Sequence, residues 1–75
     1  MRYEVKVWVM PPVLAEVTGR FDSVEESLTH IKSILKKQKY TLDDIELYDN
    51  WEHKKLDVGI REVSVYGKRK VFNNL

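Results

Sequence analysis

Two histidines are the residues of this chain best suited to acid–base or metal chemistry, and neither has a suitable neighbour. His30 follows Glu26 by four residues, and His53 lies in a polar run, Trp-Glu-His-Lys-Lys, from Trp51 to Lys55. A zinc site needs clustered His, Cys or carboxylate ligands, and the chain has no cysteine. The sequence therefore predicts no metal site, and it predicts His30 as a surface residue that interacts with Glu26 at i, i+4.

Residues for nucleophilic catalysis or phosphate binding are also poorly placed. A nucleophilic serine needs an adjacent base, and none of the serines has a recognisable setting. Gly19, Gly59 and Gly67 are too far apart in the sequence to form a phosphate-binding loop. The acidic pair Asp43-Asp44 does not follow calcium-loop spacing. We expect no catalytic residue, no cofactor and no enzymatic activity, with a small dimeric enzyme that has a pocket between subunits as a remaining alternative.

A set of aromatic residues is better suited to binding than to reaction. If strand residues alternate between faces, the helix covers the face that carries Val5, Val7, Ile45, Leu47, Val63 and Val65. Trp8, Tyr48 and Tyr66 then lie on the opposite face, together with Lys6. Tryptophan and tyrosine are enriched at the energetic centres of interfaces. These four residues are the predicted partner-binding site, although aromatic residues also suit strands for packing reasons alone.

Nucleic-acid binding is the main alternative, and it depends on a different part of the chain. RNA binding by the aromatic face is disfavoured because Glu4, Glu46 and Glu62 share it with Lys6, so a phosphate backbone would meet negative charge. The better candidate is a basic hairpin near the C-terminal end of the sequence, with Lys68, Arg69 and Lys70 at its tip. Exposed turns also carry lysine for solubility.

Length and composition restrict the class of protein. The chain has 75 residues, which predicts a single domain over residues 1–75, and its formal net charge is +1. A domain this small is marginally stable, and without disulfides it gains most from association, so we expect a homodimer or a complex with a protein partner. No apolar stretch is long enough to span a membrane, and the missing cysteine suits a reducing compartment; both favour the cytoplasm.

One helix is predicted from about Val24 to Lys39. Ser23 and Glu26 have the spacing of a capping box at its start. An apolar stripe then recurs at intervals of four, three and four residues; its members are Val24, Leu28, Ile31 and Leu35. One face of this helix should therefore lie on a sheet.

Strands are predicted on both sides of the helix. The first runs from about Arg2 to Met10, with Tyr3, Val5, Val7 and Val9 facing the core, and ends at Pro11-Pro12. Residues 13–20 are read as a short edge strand or an ordered loop, with Gly19 in a turn. Residues 41–48 are read as a strand, although Thr41 and Asp44 could begin a second helix.

The segment from Leu56 to Tyr66 is read as one long strand with a break in its alternation. Leu56, Val58 and Ile60 hold one phase and Val63 and Val65 the other, which requires a bulge or turn near Gly59. A turn at residues 66–69 and a short strand from Lys70 to Phe72 would complete the chain. The predicted fold class is α+β: one helix on one face of a mainly antiparallel sheet of three to five strands, in the order β-(β)-α-β-β-(β).

These features favour a small interaction module, or an accessory or inhibitory protein, over an enzyme. It would bind a protein partner or itself through the aromatic open face or through an edge of its sheet. Trp51 is predicted to cap that face or, more commonly for a lone tryptophan near a strand end, to fill the end of the core.

Overall fold

The computed structural model describes the backbone of residues 1–37, 40–65 and 68–73, and side chains as far as Arg61. Its elements, in chain order, are β1 (Tyr3–Met10), β2 (Leu14–Phe21), α1 (Val24–Lys36), a short 3₁₀ turn (Leu42–Asp44), β3 (Ile45–Asp49), β4 (Lys54–Leu56), β5 (Ile60–Val65) and β6 (Lys68–Asn73).

The predicted α+β class is confirmed. Helix α1 packs on a four-stranded antiparallel sheet of order β2-β1-β3-β4, and β5 and β6 form a separate two-stranded sheet. Strand β1 is central because β2 and β3 both pair with it. Helix α1 therefore connects the edge strand β2 to β3, which lies on the other side of β1. No helix in the described part of the chain is long and apolar enough to cross a membrane.

The core lies between α1 and one face of the four-stranded sheet. As predicted, the buried strand residues are Val5 and Val7 of β1 and Ile45 and Leu47 of β3. The helix contributes Ile31, Ile34 and Leu35. Val9 was predicted to join them and is exposed, because the β1–β2 ladder has an irregularity beside it that leaves it unpaired. Val63 and Val65 belong to the second sheet, so their assignment to this covered face was wrong.

Helix α1 begins where the capping signal places it. The Glu26 backbone N–H donates to Ser23 Oγ at 3.2 Å. Ser27, which is fully buried, donates through its hydroxyl to the Ser23 carbonyl oxygen at 3.0 Å, so its burial leaves no orphaned polar group. The helix ends at Lys36, with Lys37 as its C-cap, so the predicted end near Lys39 was too late.

Strand β2 is longer than the sequence suggested. It is an eight-residue edge strand, and Gly19 lies within it instead of in a turn before the helix. The pairing shifts between Val5↔Gly19 and Lys6↔Val17, which leaves Thr18 without a partner in the ladder. This extra residue is a β-bulge, and it changes which side chains of β2 share a face with Lys6.

Residues 41–49 combine both readings of the sequence. The Thr41 hydroxyl donates to Asp44 Oδ2 at 3.0 Å at the start of the 3₁₀ turn, and β3 follows at Ile45. The predicted start of a second helix therefore forms, but it continues only as a 3₁₀ turn of three residues.

The phase change near Gly59 separates two strands. The predicted single strand from Leu56 to Tyr66 was wrong: β4 ends at Leu56, and β5 begins at Ile60 in the other sheet. Gly59 has φ +63°, a left-handed conformation that glycine adopts without steric cost. Its N–H donates to Asp57 Oδ1 at 2.9 Å, which holds the bend between the two strands.

The C-terminal hairpin is confirmed at the level of the backbone. Val65 pairs with Lys68, so residues 66 and 67 connect β5 to β6; these two residues lie outside the described part. Lys68, Arg69 and Lys70 are the first residues of β6 instead of turn residues, and β6 is longer than the predicted strand Lys70–Phe72.

Candidate functional site

The uncovered face of the four-stranded sheet has a charged half built around Glu4. Across the strands, Glu4 lies opposite Arg20 on one side and Tyr48 on the other. Its carboxylate accepts from Arg20 Nε at 3.1 Å and lies 3.9 Å from Lys6 Nζ. Only 8% of Glu4 is exposed, so this carboxylate is held between two cations.

The predicted site residues Lys6 and Tyr48 meet in this charged half. Lys6 Nζ lies 5.1 Å from the centre of the Tyr48 ring, a cation–π distance. Beside them, Lys55 Nζ lies 3.1 Å from Glu46 Oε1. The charges here are largely paired within the sheet, so this half presents a nearly neutral polar surface.

The other half of this face is apolar and begins at Trp8. Trp8 pairs with Ala15, and the bulge at Thr18 places Val17 opposite Lys6, so these side chains share the open face. Met10 pairs with Leu14 one position further along, at the end of the sheet, where Leu14 alternates to the other side of β2. Five aliphatic residues around the β1–β2 connection are between 41% and 79% exposed. We call them the apolar end; they are Val9, Met10, Val13, Leu14 and Val17.

The apolar end stays uncovered because of where the helix lies. Helix α1 packs over Val5, Val7 and Leu47 and leaves the β1–β2 end of the sheet exposed, and β2 is an edge strand with no neighbour on its outer side among the described strands. Five aliphatic side chains at this exposure present on the order of a few hundred Å² of apolar surface, the size of the functional patches of small proteins.

The predicted aromatic cluster is not formed as such. Trp8 and Tyr48 lie on the same face, but Tyr48 pairs with Glu4, four residues before Trp8 along β1. At about 3.3 Å per residue this separates their positions by roughly 13 Å. Tyr66 lies outside the described residues. Trp8 therefore belongs to the apolar half and Tyr48 to the charged half.

Sequence reasoning missed the apolar end, although the sequence carries a signal for it. Met10 and Val13-Leu14 flank Pro11-Pro12, so apolar residues stand at a connection where polar residues are usual. With residues 13–20 left between strand and loop, this run had no assigned face. The β1–β2 register places this run at one end of the sheet.

A small cavity lies at the opposite edge of the sheet, beyond the end of β4. Its volume is about 260 Å³. Its apolar lining is Trp8, Ile45, Leu47, Leu56 and Val58. Its charged lining is Asp43, Glu46, Lys55 and Asp57. We call it the β3–β4 pocket; it shares Trp8 with the apolar half of the open face.

Trp51 is 72% exposed, so the prediction that it fills the end of the core was wrong. The Arg2 guanidinium lies 5.0 Å from its ring centre and 5.1 Å from that of Tyr3. Arg2 also donates to both oxygens of Asp49, at 3.0 and 2.8 Å. This ion pair holds Arg2 in place, and Arg2 in turn positions the indole at the surface.

Asp49 organises the turn that follows β3. Besides the Arg2 contacts, its Oδ1 accepts from the backbone N–H groups of Trp51 and Glu52, at 3.0 and 3.3 Å. These donors favour the carboxylate form, and the hydrogen bonds from Arg2 have the largest effect, so the pKa of Asp49 falls from 3.8 to about 2. The role of Asp49 is structural.

His30 contacts the sheet and not Glu26, so that prediction was wrong. Its Nε2 lies 2.9 Å from Thr18 Oγ1, and its ring centre is 5.0 Å from that of Phe21. Burial, and secondarily the charge of Lys37, lower the pKa of His30. His30 thus anchors the helix over the bulge in β2.

Among the described residues, no group of three or more His, Asp or Glu side chains is arranged to hold a metal ion. Compared with models of protein families, with curated proteins and with solved structures, the chain matches none of them. The surfaces of this molecule are therefore the basis on which we infer its function.

Proposed function

We propose that this protein is a non-enzymatic interaction module that binds another protein chain, a partner or a second copy, through the apolar end of its sheet. The observation that carries the proposal is the group of exposed aliphatic side chains at the β1–β2 end of the sheet, next to Trp8 along β1 and at an edge strand.

The apolar end and the charged half of the open face resemble the two parts of a protein interface. An interface has an apolar centre that loses water on binding and a polar rim that stays hydrated. The apolar end has the composition of such a centre. The charged half, in which Glu4 is paired with Arg20 and Lys6, has the composition of such a rim.

Side-chain contact suits this surface better than addition of a whole strand. A partner strand pairs best with a regular edge, and the bulge at Thr18 interrupts β2. Only Leu14 to Val17 continue without interruption beyond it. An accessory or inhibitory protein that acts by covering a site on its target could use such a surface.

The test compares Leu14→Glu and Val17→Glu with a matched control, Ser33→Glu, at an exposed helix position. Both test residues are more than 40% exposed, so a glutamate there should not disturb the core. The measurements are sedimentation velocity for self-association and affinity capture from nuclease-treated lysate for a partner. We expect each test variant to weaken association at least tenfold, because a charge is buried in an apolar contact, while Ser33→Glu behaves as wild type.

Thermal unfolding of all variants checks that they fold. The proposal would be overturned if the wild type stays monomeric and if every protein that it captures is also captured by Leu14→Glu and Val17→Glu. Capture that nuclease abolishes, and that depends on Lys68, Arg69 and Lys70 but not on Leu14, would favour the alternative of nucleic-acid binding through the β5–β6 hairpin.

A further inference from the structure

We propose that the β3–β4 pocket binds a lysine or arginine side chain of the protein partner. This inference rests on the proposed function, since it names the chemistry of one anchor residue in that complex. It depends on the shape, size and charge of the pocket.

The pocket exists because β4 is shorter than β3. Strand β4 pairs only with Leu47, Tyr48 and Asp49, so the β3 edge at Ile45 and Glu46 has no strand beside it in the described sheet. The chain instead turns away after Leu56. The gap is therefore part of the strand arrangement.

Its size suits one side chain. Pockets for small-molecule ligands usually have about 300–1,000 Å³, and this one has about 260 Å³. The apolar lining described above, which includes Ile45 and Leu47, can pack against the methylene groups of a long side chain. Trp8 adds an aromatic ring to the same wall, and such rings attract cations.

The charge of the lining selects a cation. Three carboxylates, those of Asp43, Glu46 and Asp57, face one ammonium group, that of Lys55, for a formal charge of −2. Lys55 pairs with Glu46 at 3.1 Å. Asp57 accepts the Gly59 N–H through Oδ1, and within the described part of the chain neither Asp57 nor Asp43 forms an ion pair.

The basic residue on the neighbouring strand β1, Lys6, is engaged elsewhere. Lys6 lies opposite Glu46 in the ladder, but its ammonium group lies over the Tyr48 ring and 3.9 Å from Glu4. An incoming ammonium or guanidinium group would complete the pairing of Asp43 and Asp57 while its stem contacts the apolar wall. Because the pocket shares Trp8 with the open face, a partner on the apolar end lies within reach of it.

The test is an NMR titration of the free protein with N-acetyl-lysine N-methylamide and N-acetyl-arginine N-methylamide. Their neutral counterparts, the norleucine and citrulline derivatives, serve as matched probes. We expect shifts of the backbone amides of residues 43, 46 and 57 and of the Trp8 indole N–H with the cationic probes only. Raising the salt concentration should weaken this binding.

Asp43→Asn and Asp57→Asn test the carboxylates, and Asp22→Asn, at an exposed position outside the pocket, is the control. An asparagine at 57 keeps an oxygen for the Gly59 N–H. Each test variant should weaken cation binding about two- to fivefold, the range of single exposed ion pairs, and Asp22→Asn should not. Equal shifts with norleucine and lysine probes, or no effect of either test variant, would overturn the inference.

The titration is independent of the proposed function because it needs no partner. Leu14→Glu should leave binding of the lysine probe unchanged. If Leu14→Glu loses partner binding but the wild type binds neither cationic probe, the pocket inference fails and the interaction module stands. If the wild type binds the cationic probes but has no protein partner, the interaction module fails and the pocket stands only as a cation site.

Discussion

At the scale of single residues, the pairing of Arg2 with Asp49 has the clearest energetic consequence. Asp49 is 1% exposed and joins three parts of the chain: Arg2 just before β1, strand β3 and the turn at Trp51. A buried carboxylate is tolerated only when its charge is compensated. The lowered pKa of Asp49 is the measurable sign of that compensation.

We predict that this pair makes stability depend on pH below 4. Because the pKa of Asp49 is about 2 in the folded protein and near 3.8 in the unfolded chain, its contribution is complete above 3.8 and is lost as pH falls towards 2. Urea unfolding between pH 7 and pH 2 measures it. Asp49→Asn should be less stable than wild type at pH 7, and the difference should shrink as pH falls through this range.

Arg2→Ala is the matched variant, since Arg2 supplies the largest part of the shift. It should flatten the same part of the pH profile while leaving the carboxylate in place. If wild type and Asp49→Asn lose stability in parallel from pH 4 to pH 2, the carboxylate of Asp49 does not contribute as described.

At the scale of elements, the bulge in β2 is the feature that shapes the surface. Thr18 has no partner in the β1–β2 ladder. Its hydroxyl donates to the Val5 carbonyl oxygen at 3.3 Å, and His30 of the helix contacts the same hydroxyl. Val17 consequently shares the open face with Lys6. One inserted residue thus both fastens the helix and supplies part of the apolar end.

Gly19, next to the bulge, is predicted to resist substitution. A Cβ there would lie 2.6 and 2.8 Å from two ring atoms of Phe21 and 3.3 Å from His30 Nε2. We expect Gly19→Ala to lower the free energy of unfolding by about 1–3 kcal/mol, the usual cost of overpacking, as measured by urea unfolding.

Phe21→Ala provides the control by a double-mutant cycle. With the ring removed, the added methyl group meets no ring atom, so the cost of Gly19→Ala should largely disappear in the Phe21→Ala background. Additive costs of the two substitutions would show that contact with Phe21 is not the cause.

At the scale of the whole molecule, two sheets share one core. Strand β5 starts after the bend at Gly59, and its first residue, Ile60, is 4% exposed within the cluster that includes Leu35 and Leu47. The second sheet is therefore attached to the first by a buried side chain as well as by the chain itself.

We predict that Ile60→Ala lowers the free energy of unfolding by about 2–5 kcal/mol, because it leaves a cavity in the shared core. Denaturant unfolding measures the change. Val13→Ala, at a position 79% exposed, is the control and should change stability by less than about 0.5 kcal/mol. A similarly small effect of Ile60→Ala would contradict the attachment of β5 to the core.

Much of the framework could be predicted from local patterns. The start of α1 at Val24, the buried alternation of Val5 and Val7, and the hairpin between Val65 and Lys68 all follow from signals within a few residues. The candidate surface was predicted only in part: Trp8, Lys6 and Tyr48 lie on the expected face, but the apolar end was missed. The register of β1 and β2 brings its members together, and no local sequence pattern predicts that register.

The sequence by itself determined the start of α1 and the inward faces of β1 and β3 at Val5, Val7, Ile45 and Leu47, because periods of about 3.6 and 2 residues are properties of the local backbone. Tertiary structure alone decided which residues became neighbours. Asp49 binds Arg2 across 47 positions of sequence, and that contact places Trp51 at the surface instead of in the core. The short pairing of β4 leaves the pocket open. Such outcomes depend on the competition between distant contacts, so they exist only once the chain has folded.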